Sequence, residues 1–296
     1  LSKAGVSGSL TKISLSQNKL GTEGTKAICE ALTVNKTIKE LDMSGSTHIV
    51  GGSSNIGGPG GAKHLANMLL VNGSLTSIGN GGLNLKDNNL GNEGWGAIFA
   101  GVCSSSFSKI ASIDASNERI GAAGAVLIGQ ALQSSVNGSL TCCNVLRNQM
   151  DIAAAKSLVE AVKDKDISLA GIKPDQISAA FVQQGLEAPD AILLASDLSK
   201  AGVSGSLTKI SLSQNKLGTE GTKAICEALT VNKTIKELDM SGSTHIVGGS
   251  SNIGGPGGAK HLANMLLVNG SLTSIGNGGL NLKDNNLGNE GWGAIF

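Results

Sequence analysis

The feature that most constrains this chain is self-similarity at two lengths. Residues 1–99 recur without a change as residues 198–296, from LSKAGVSGSL through GNEGWGAIF. The long period is therefore 197 residues, and the 296-residue chain holds one and a half copies of it. A shorter period lies inside the long one. In LTKISLSQNKLGTEGTKAICEAL the apolar positions are Leu10, Ile13, Leu15 and Leu20, followed by Ile28, Ala31 and Leu32, with Asn18, Gly21 and Gly24 between them. Aligned on Leu20, the later units are anchored at Ile56, Leu90, Ile120, Met150, Leu186, Leu217, Ile253 and Leu287, at spacings of 30 to 36 residues. Six short units build one long repeat and about nine fill the chain. A lone unit of this length cannot bury its apolar residues, so stability has to come from stacking neighbours in one dimension.

Each unit changes periodicity in its middle. Ile13-x-Leu15, Leu41-x-Met43, Leu83-x-Leu85 and Cys143-x-Val145 alternate as a short strand does, and Ala179-x-Phe181 fills the same place in the sixth unit. Ile28, Ala31 and Leu32 then recur at helical spacing, as do Leu65, Met68 and Leu69, or Ile128, Ala131 and Leu132. Pro59 and Pro189 fall where a first helical turn tolerates the missing N–H. Asn72-Gly73 and Asn137-Gly138 suit left-handed helix ends. The unit reads strand, turn, helix, turn.

Composition narrows the function classes. Twenty-three Lys plus Arg balance 22 Asp plus Glu, which gives no electrostatic case for nucleic acid or an anionic membrane surface. No apolar run reaches membrane-spanning length. Only Trp95, Phe99, Phe107, Phe181, Trp292 and Phe296 are aromatic, so any binding surface lacks the usual anchors. Five cysteines without a CxxC pair read as small apolar fillers; Cys142 and Cys143 straddle a strand, which predicts one side chain inward and one outward. Gly57-Gly58-Pro59-Gly60-Gly61-Ala62-Lys63 misses the phosphate-binding pattern, because Ala62 separates glycine from lysine and His64 follows; it reads as glycine at a helix start. His48 and His64, with copies His245 and His261, fit no metal or triad pattern. No catalytic residue, cofactor or metal is expected.

The pattern resembles the ribonuclease-inhibitor-like class of leucine-rich repeats, whose unit reads LxxLxLxxNxLGxxGxxxLxxAL. The resemblance spans essentially the whole chain. It departs in about eight extra residues around Ser46 to Ser53, in Gly79 to Gly82, and in Gln184 at an asparagine position. It implies an α/β solenoid with a parallel sheet on the concave side and helices on the convex side, superhelical in longer arrays. On this reading residues 1–296 form one continuous array, with 1–197 a long repeat of six units and 198–296 the first half of a second. Asn18, Asn88, Asn148 and Asn215 stand where the strand ends, to satisfy turn backbone; ligand contact is the other reading.

Two sets of candidate site residues follow. The concave face implied by the resemblance carries Ser14, Ser16, Asp42, Asn84, Lys86, Asp114, Asn144 and Arg147, a small polar surface of mixed charge that could take a protein or glycan partner. Asn35, Asn72, Asn137, Asn232 and Asn269 open N-x-[ST] triplets at equivalent helix exits, as caps of the polar turn or as N-glycosylation acceptors along one edge. An unchanging long period cut inside a unit points to a stretch of a longer, non-enzymatic structural chain. Such a chain is expected to self-associate end to end or laterally into an elongated or filamentous assembly, with extracellular or cell-surface placement favoured by the triplets and low charge.

Overall fold

The computed structural model describes residues 9–46, 54–136, 138–243, 251–276 and 278–296, so His48, His245 and Asn137 lie outside the described residues. The chain divides into two compact bodies, Leu1–Val162 and Lys163–Phe296.

In the first body the order is β1 (Lys12–Ser14), α1 (Gly21–Val34), β2 (Glu40–Asp42), α2 (Gly58–Leu69), β3 (Ser77–Ile78), β4 (Leu83–Asn84), α3 (Gly91–Cys103), β5 (Ser112–Asp114), α4 (Ala122–Gln133), β6 (Cys142–Asn144) and α5 (Ile152–Ala161). The strands form one parallel sheet in the order β1-β2-β4-β3-β5-β6. The second body runs β7 (Ser178–Ala180), α6 (Ala188–Leu198), α7 (Ala201–Ser204), β8 (Lys209–Ser211), α8 (Gly218–Val231), β9 (Glu237–Asp239), α9 (Gly255–Leu266), β10 (Leu280–Asn281) and α10 (Gly288–Ile295), with parallel strands ordered β10-β9-β8-β7. Each body is an α/β leucine-rich-repeat arrangement, sheet on one side and stacked helices on the other.

Strand register lines up the inward residues. Leu41 pairs with Leu83, Ile78 with Leu83 and Ile113, and Ile113 with Cys143, and all are at most 2% exposed. The anchors Ile56, Leu90, Ile120, Leu186, Leu217 and Ile253 are fully buried beneath the helices. Each such side chain is worth roughly 1.5–3 kcal/mol, but only once a neighbour covers it. Trp95 and Phe99 on α3, which α4 follows, are 1% and 0% exposed; Trp292 and Phe296, the same residues at the last helix, are 40% and 90% exposed.

The turns leaving the strands are held by a ladder of amides. Asn88 accepts through Oδ1 from the backbone N–H groups of Asn55 (2.8 Å) and Ile56 (3.1 Å) in the preceding unit, and donates through Nδ2 to Met43 O (2.9 Å) and Leu85 O (3.0 Å). Asn148, two units further on, and Asn215, in the second body, likewise accept from two backbone N–H groups of the preceding unit and donate to backbone carbonyls. These bonds support a costly backbone: residues flanking the ladder position have positive φ, as at Gln17 (57°) and Lys19 (54°), or Asp87 (59°) and Asn89 (56°).

Several details depart from expectation. In the second unit the ladder residue is Asn55, one place nearer the anchor than elsewhere, and its Oδ1 accepts from Asn18 N (3.0 Å) and Leu20 N (3.3 Å). The third unit is split: β3 and β4 flank Gly79–Gly82 and add a strand to the sheet. Neither Asn72 nor Gly73 has positive φ, so that helix does not end in a left-handed residue. Cys142 does not point into open solvent; it is 8% exposed, beside Cys143 at 0%. All five cysteines are buried and none is disulfide-bonded among the described residues, and burial pushes Cys29 and Cys226 up to about 12. Pro59 and Pro189 do sit in first helical turns. Gly57 at the start of α2 is left-handed (φ 82°), and a Cβ there would lie 2.5 Å from Thr22 N, so the glycine segment serves close stacking on the preceding unit.

Candidate binding face

The strands bring part of the predicted polar set together. Register places Ser14 opposite Asp42 and Asp42 opposite Asn84. Ser14 Oγ donates to Asp42 Oδ2 (3.4 Å), and Asn84 Nδ2 donates to Asp42 Oδ1 (3.0 Å). Ser16 lies beside this row, its Oγ 3.3 Å from Ser14 Oγ. On the far side of β3, Asp114 pairs in register with Asn144, and Lys86 Nζ reaches Asp114 Oδ2 at 3.9 Å. That reach passes Gly79, where a Cβ would approach Asp114 Cβ to 3.1 Å. Arg147 occupies the exit turn after β6 with φ 60° and is exposed, apart from the row.

These side chains mostly satisfy one another or their own turns. Asp42, Asn84, Asp114 and Asn144 each accept a backbone N–H two residues on, and Asp114 also takes the Ser116 hydroxyl at 2.7 Å. Lys12 pairs with Glu40 at 2.8 Å at the edge of the face; the hydrogen bond and charge of Glu40 raise the lysine above its ordinary range. The copy repeats the arrangement: Ser211 Oγ donates to Asp239 Oδ2 (3.1 Å), Asn281 Nδ2 to Asp239 Oδ1 (2.9 Å), and Lys209 pairs with Glu237 (2.7 Å). Chemically this is a shallow surface of donors and acceptors. Among the described residues no cluster of His, Cys, Asp or Glu could hold a metal ion, and no helix is long and apolar enough to cross a membrane.

The triplet asparagines form a second ladder at the opposite end of the units. Asn72 Nδ2 donates to Leu32 O (3.0 Å), Asn232 Nδ2 to Leu198 O (2.9 Å) and Asn269 Nδ2 to Leu229 O (2.7 Å), each taking the carbonyl of the preceding helix end. Their Oδ1 atoms accept from the N–H groups two and three residues on, as Asn35 does from Thr37 (3.0 Å) and Ile38 (2.9 Å). Asn35, Asn72, Asn232 and Asn269 are all buried. In the folded chain the amide nitrogens of Asn72, Asn232 and Asn269, where a glycan would attach, are engaged between units. Ser105 takes the equivalent place in the third unit, donating to Leu70 O (2.7 Å) and accepting from Phe107 N and Ser108 N.

Beside this buried ladder runs an apolar edge that periodicity does not single out. Val34, Val71, Phe107 and Val136 in the first body are 61%, 43%, 65% and 72% exposed, and Val231 and Val268 in the second are 61% and 58%. Each valine directly precedes the asparagine of its triplet, which is the signal that could have found it.

Two carboxyls, one buried and one half-buried, were also missed. Asp197, fully buried in α6, accepts from Ser168 Oγ (2.6 Å), Leu169 N (2.8 Å) and Ala170 N (3.0 Å) and so pins the loop before β7; burial pushes it up to about 6 against those bonds. Glu118 occupies the ladder position of the fourth unit, and burial raises it to about 7.

A family model described as "Leucine Rich repeat" matches residues 7–29 and 204–226. Among solved structures, the tropomodulin C-terminal domain from Caenorhabditis elegans is similar at 13% identity, with 70% of this chain and 91% of that chain covered and a TM-score of 0.30. No curated protein sequence matches the chain.

Proposed function

The chain is a leucine-rich-repeat protein, whose repeats suggest interaction with other proteins, and on that premise we propose that it is a non-enzymatic structural array that self-associates into an elongated assembly. The observation that carries the reading is the exposed apolar edge. A side chain such as Val34 or Val71 standing in water recurs at the helix exit of one unit after another, at a place fixed by the buried asparagine beside it. A single exposed valine needs no explanation, whereas a row in register with the repeat offers one apolar contact per unit to a parallel copy. The identical long repeat then presents the same row again after 197 residues, which favours regular lateral contacts.

The test is sedimentation velocity with negative-stain electron microscopy over a hundredfold concentration range. The parent chain should form elongated, concentration-dependent species. The triple variant Val34→Lys, Val71→Lys, Val136→Lys should remain monomeric with unchanged circular dichroism. Monomers at every concentration in the parent chain overturn the proposal.

A second reading rests on the polar row Ser14, Asp42 and Asn84, with Lys86 and Asp114 beside it, which recurs in part around Asp239: a recognition face for a protein or glycan. Its residues are largely paired with each other, so binding has to break those pairs first. A stoichiometric partner lost on changing Asp42, Lys86 and Asp114 to alanine favours this reading over assembly.

A further inference from the structure

We propose that Asn80 is a site of spontaneous modification, where Gly81 N closes onto the asparagine side chain, ammonia is lost, and water reopens the ring as aspartate or isoaspartate. Gly81 N attacks Asn80 Cγ; the new N–C bond forms as the Cγ–Nδ2 bond breaks, and the Gly81 proton leaves with Nδ2 as ammonia. Water then cleaves the five-membered imide at either carbonyl. One cleavage restores the main chain, and the other routes it through the side chain with an extra methylene. A glycine after the asparagine leaves the approach of its nitrogen open, because it has no Cβ. Asn-Gly stands at 72–73, 80–81, 137–138, 269–270 and 277–278, so the sequence alone ranks none of them first.

The fold separates them. Asn72 and Asn269 belong to the buried ladder: Nδ2 donates to Leu32 O (3.0 Å) and Leu229 O (2.7 Å), and each Oδ1 accepts two backbone N–H groups. Cγ of such an amide turns towards the next nitrogen only after those bonds open. Asn80 instead stands between β3 and β4, second in a four-residue turn closed by Gly82 N donating to Gly79 O (3.3 Å). It is exposed, and among the described residues neither its side chain nor the Gly81 N–H has a hydrogen-bond partner. Gly81, third in that turn, has φ 82°, the left-handed value such a turn asks of glycine, and a Cβ there would meet nothing within 4 Å. The side chain therefore has room to fold onto Gly81 N. An isoaspartyl link lengthens a loop whose two hydrogen bonds, Gly82 N to Gly79 O and Gly79 N to Leu83 O (2.9 Å), hold β3 against β4 at Ile78 and Leu83. Modification of Asn80 thus loosens the extra strand of the third unit and adds a carboxylate to the loop.

Peptide mapping during storage tests the assignment. Residues 64–86 recur as 261–283, so an Asn277→Gln chain gives the two copies of that peptide different masses. The chain is held in warm neutral buffer, native or in urea, and electron-transfer fragmentation assigns aspartate and isoaspartate to each position. In the native chain residue 80 should convert at least about tenfold faster than residue 72, where three hydrogen bonds must open first. In urea the two should convert at comparable rates. Amide exchange at Gly79 and Gly82 should be about tenfold faster in the converted native chain, as local opening of that turn requires. Equal native rates at 72 and 80 overturn the proposal. So does a native rate at 80 far below its rate in urea, which would mean that the turn protects it, or the same preference for 80 in both conditions, which would trace it to sequence. Unchanged exchange at Gly79 and Gly82 overturns the loosening of β3. If Asn277→Gln does not fold, the pooled peptides of the parent chain still contrast the locked residues 72 and 269 with residue 80.

Discussion

Replacing Asn215 by alanine should cost far more than replacing Asn18, although the two residues lie in identical local sequence. Asn215 Oδ1 accepts from Gln184 N (3.0 Å) and Leu186 N (3.1 Å), and Nδ2 donates to Phe181 O (2.7 Å), so three backbone groups of the preceding unit depend on it. Alanine strands all three, and at roughly 1–3 kcal/mol for each buried group left without a partner the loss comes to about 3–5 kcal/mol once water reaches the half-buried ones. Asn18 is exposed and, among the described residues, its side chain donates only to Ser16 O in its own turn at 3.0 Å. Its removal should cost about 0.5–1 kcal/mol. Urea unfolding followed by far-ultraviolet circular dichroism measures both, with stepwise transitions fitted joint by joint because repeat arrays need not unfold in one step. Equal costs for the two variants would refute the idea that ladder amides act between units rather than within them.

Other perturbations test separate parts of the account. Gly57→Ala should destabilise the first body by about 2 kcal/mol or more, since a left-handed residue meets Thr22 N at 2.5 Å, and a thermal melt reads it. Asp197→Ala should release the loop at Ser168–Ala170 and cost about 3 kcal/mol, seen as accelerated amide exchange at Leu169 and Ala170. Because Asp197 rises from 3.8 to about 6 on folding, its own contribution is complete below pH 3.8 and fades as pH climbs through 6; the melting temperature of Asp197→Asn should lack that decline. The five buried thiols should react with a maleimide only as the chain opens, so rapid labelling of native protein contradicts their role as fillers.

The architecture was legible because burial imposes periodicity. Ile13-x-Leu15 and Ile28-Ala31-Leu32 had to read as strand and helix, and the anchors from Ile56 to Leu287 had to fall beneath them. Who donates to whom was not legible, because those partners lie 28 to 45 residues away and leave no local pattern. Asn55 escaped notice because the extra residues around Ser46 to Ser53 displace it by one from the aligned position. The triplet asparagines carried two readings in sequence, and only the position of Leu32 O and Leu229 O shows what their amides do. The polar set from Ser14 to Asp114 was chosen by alternation, which selects outward side chains but cannot say that Asp42 and Asn84 spend their bonds on each other. Glu118 and Asp197 look like ordinary surface acids until the residues stacked on them are known.

The claim beneath all of this is that a unit is buried by its neighbour and not by its own sequence. Acrylamide quenching of the two single-tryptophan chains, Trp292→Phe and Trp95→Phe, tests it at identical local sequence. The account predicts a blue-shifted, weakly quenched Trp95 beneath α4 and Glu118, and a more accessible Trp292, 40% exposed and stacked on Phe296 at 6.0 Å. Equal emission and equal quenching of the two, in dilute monomeric protein, would contradict it.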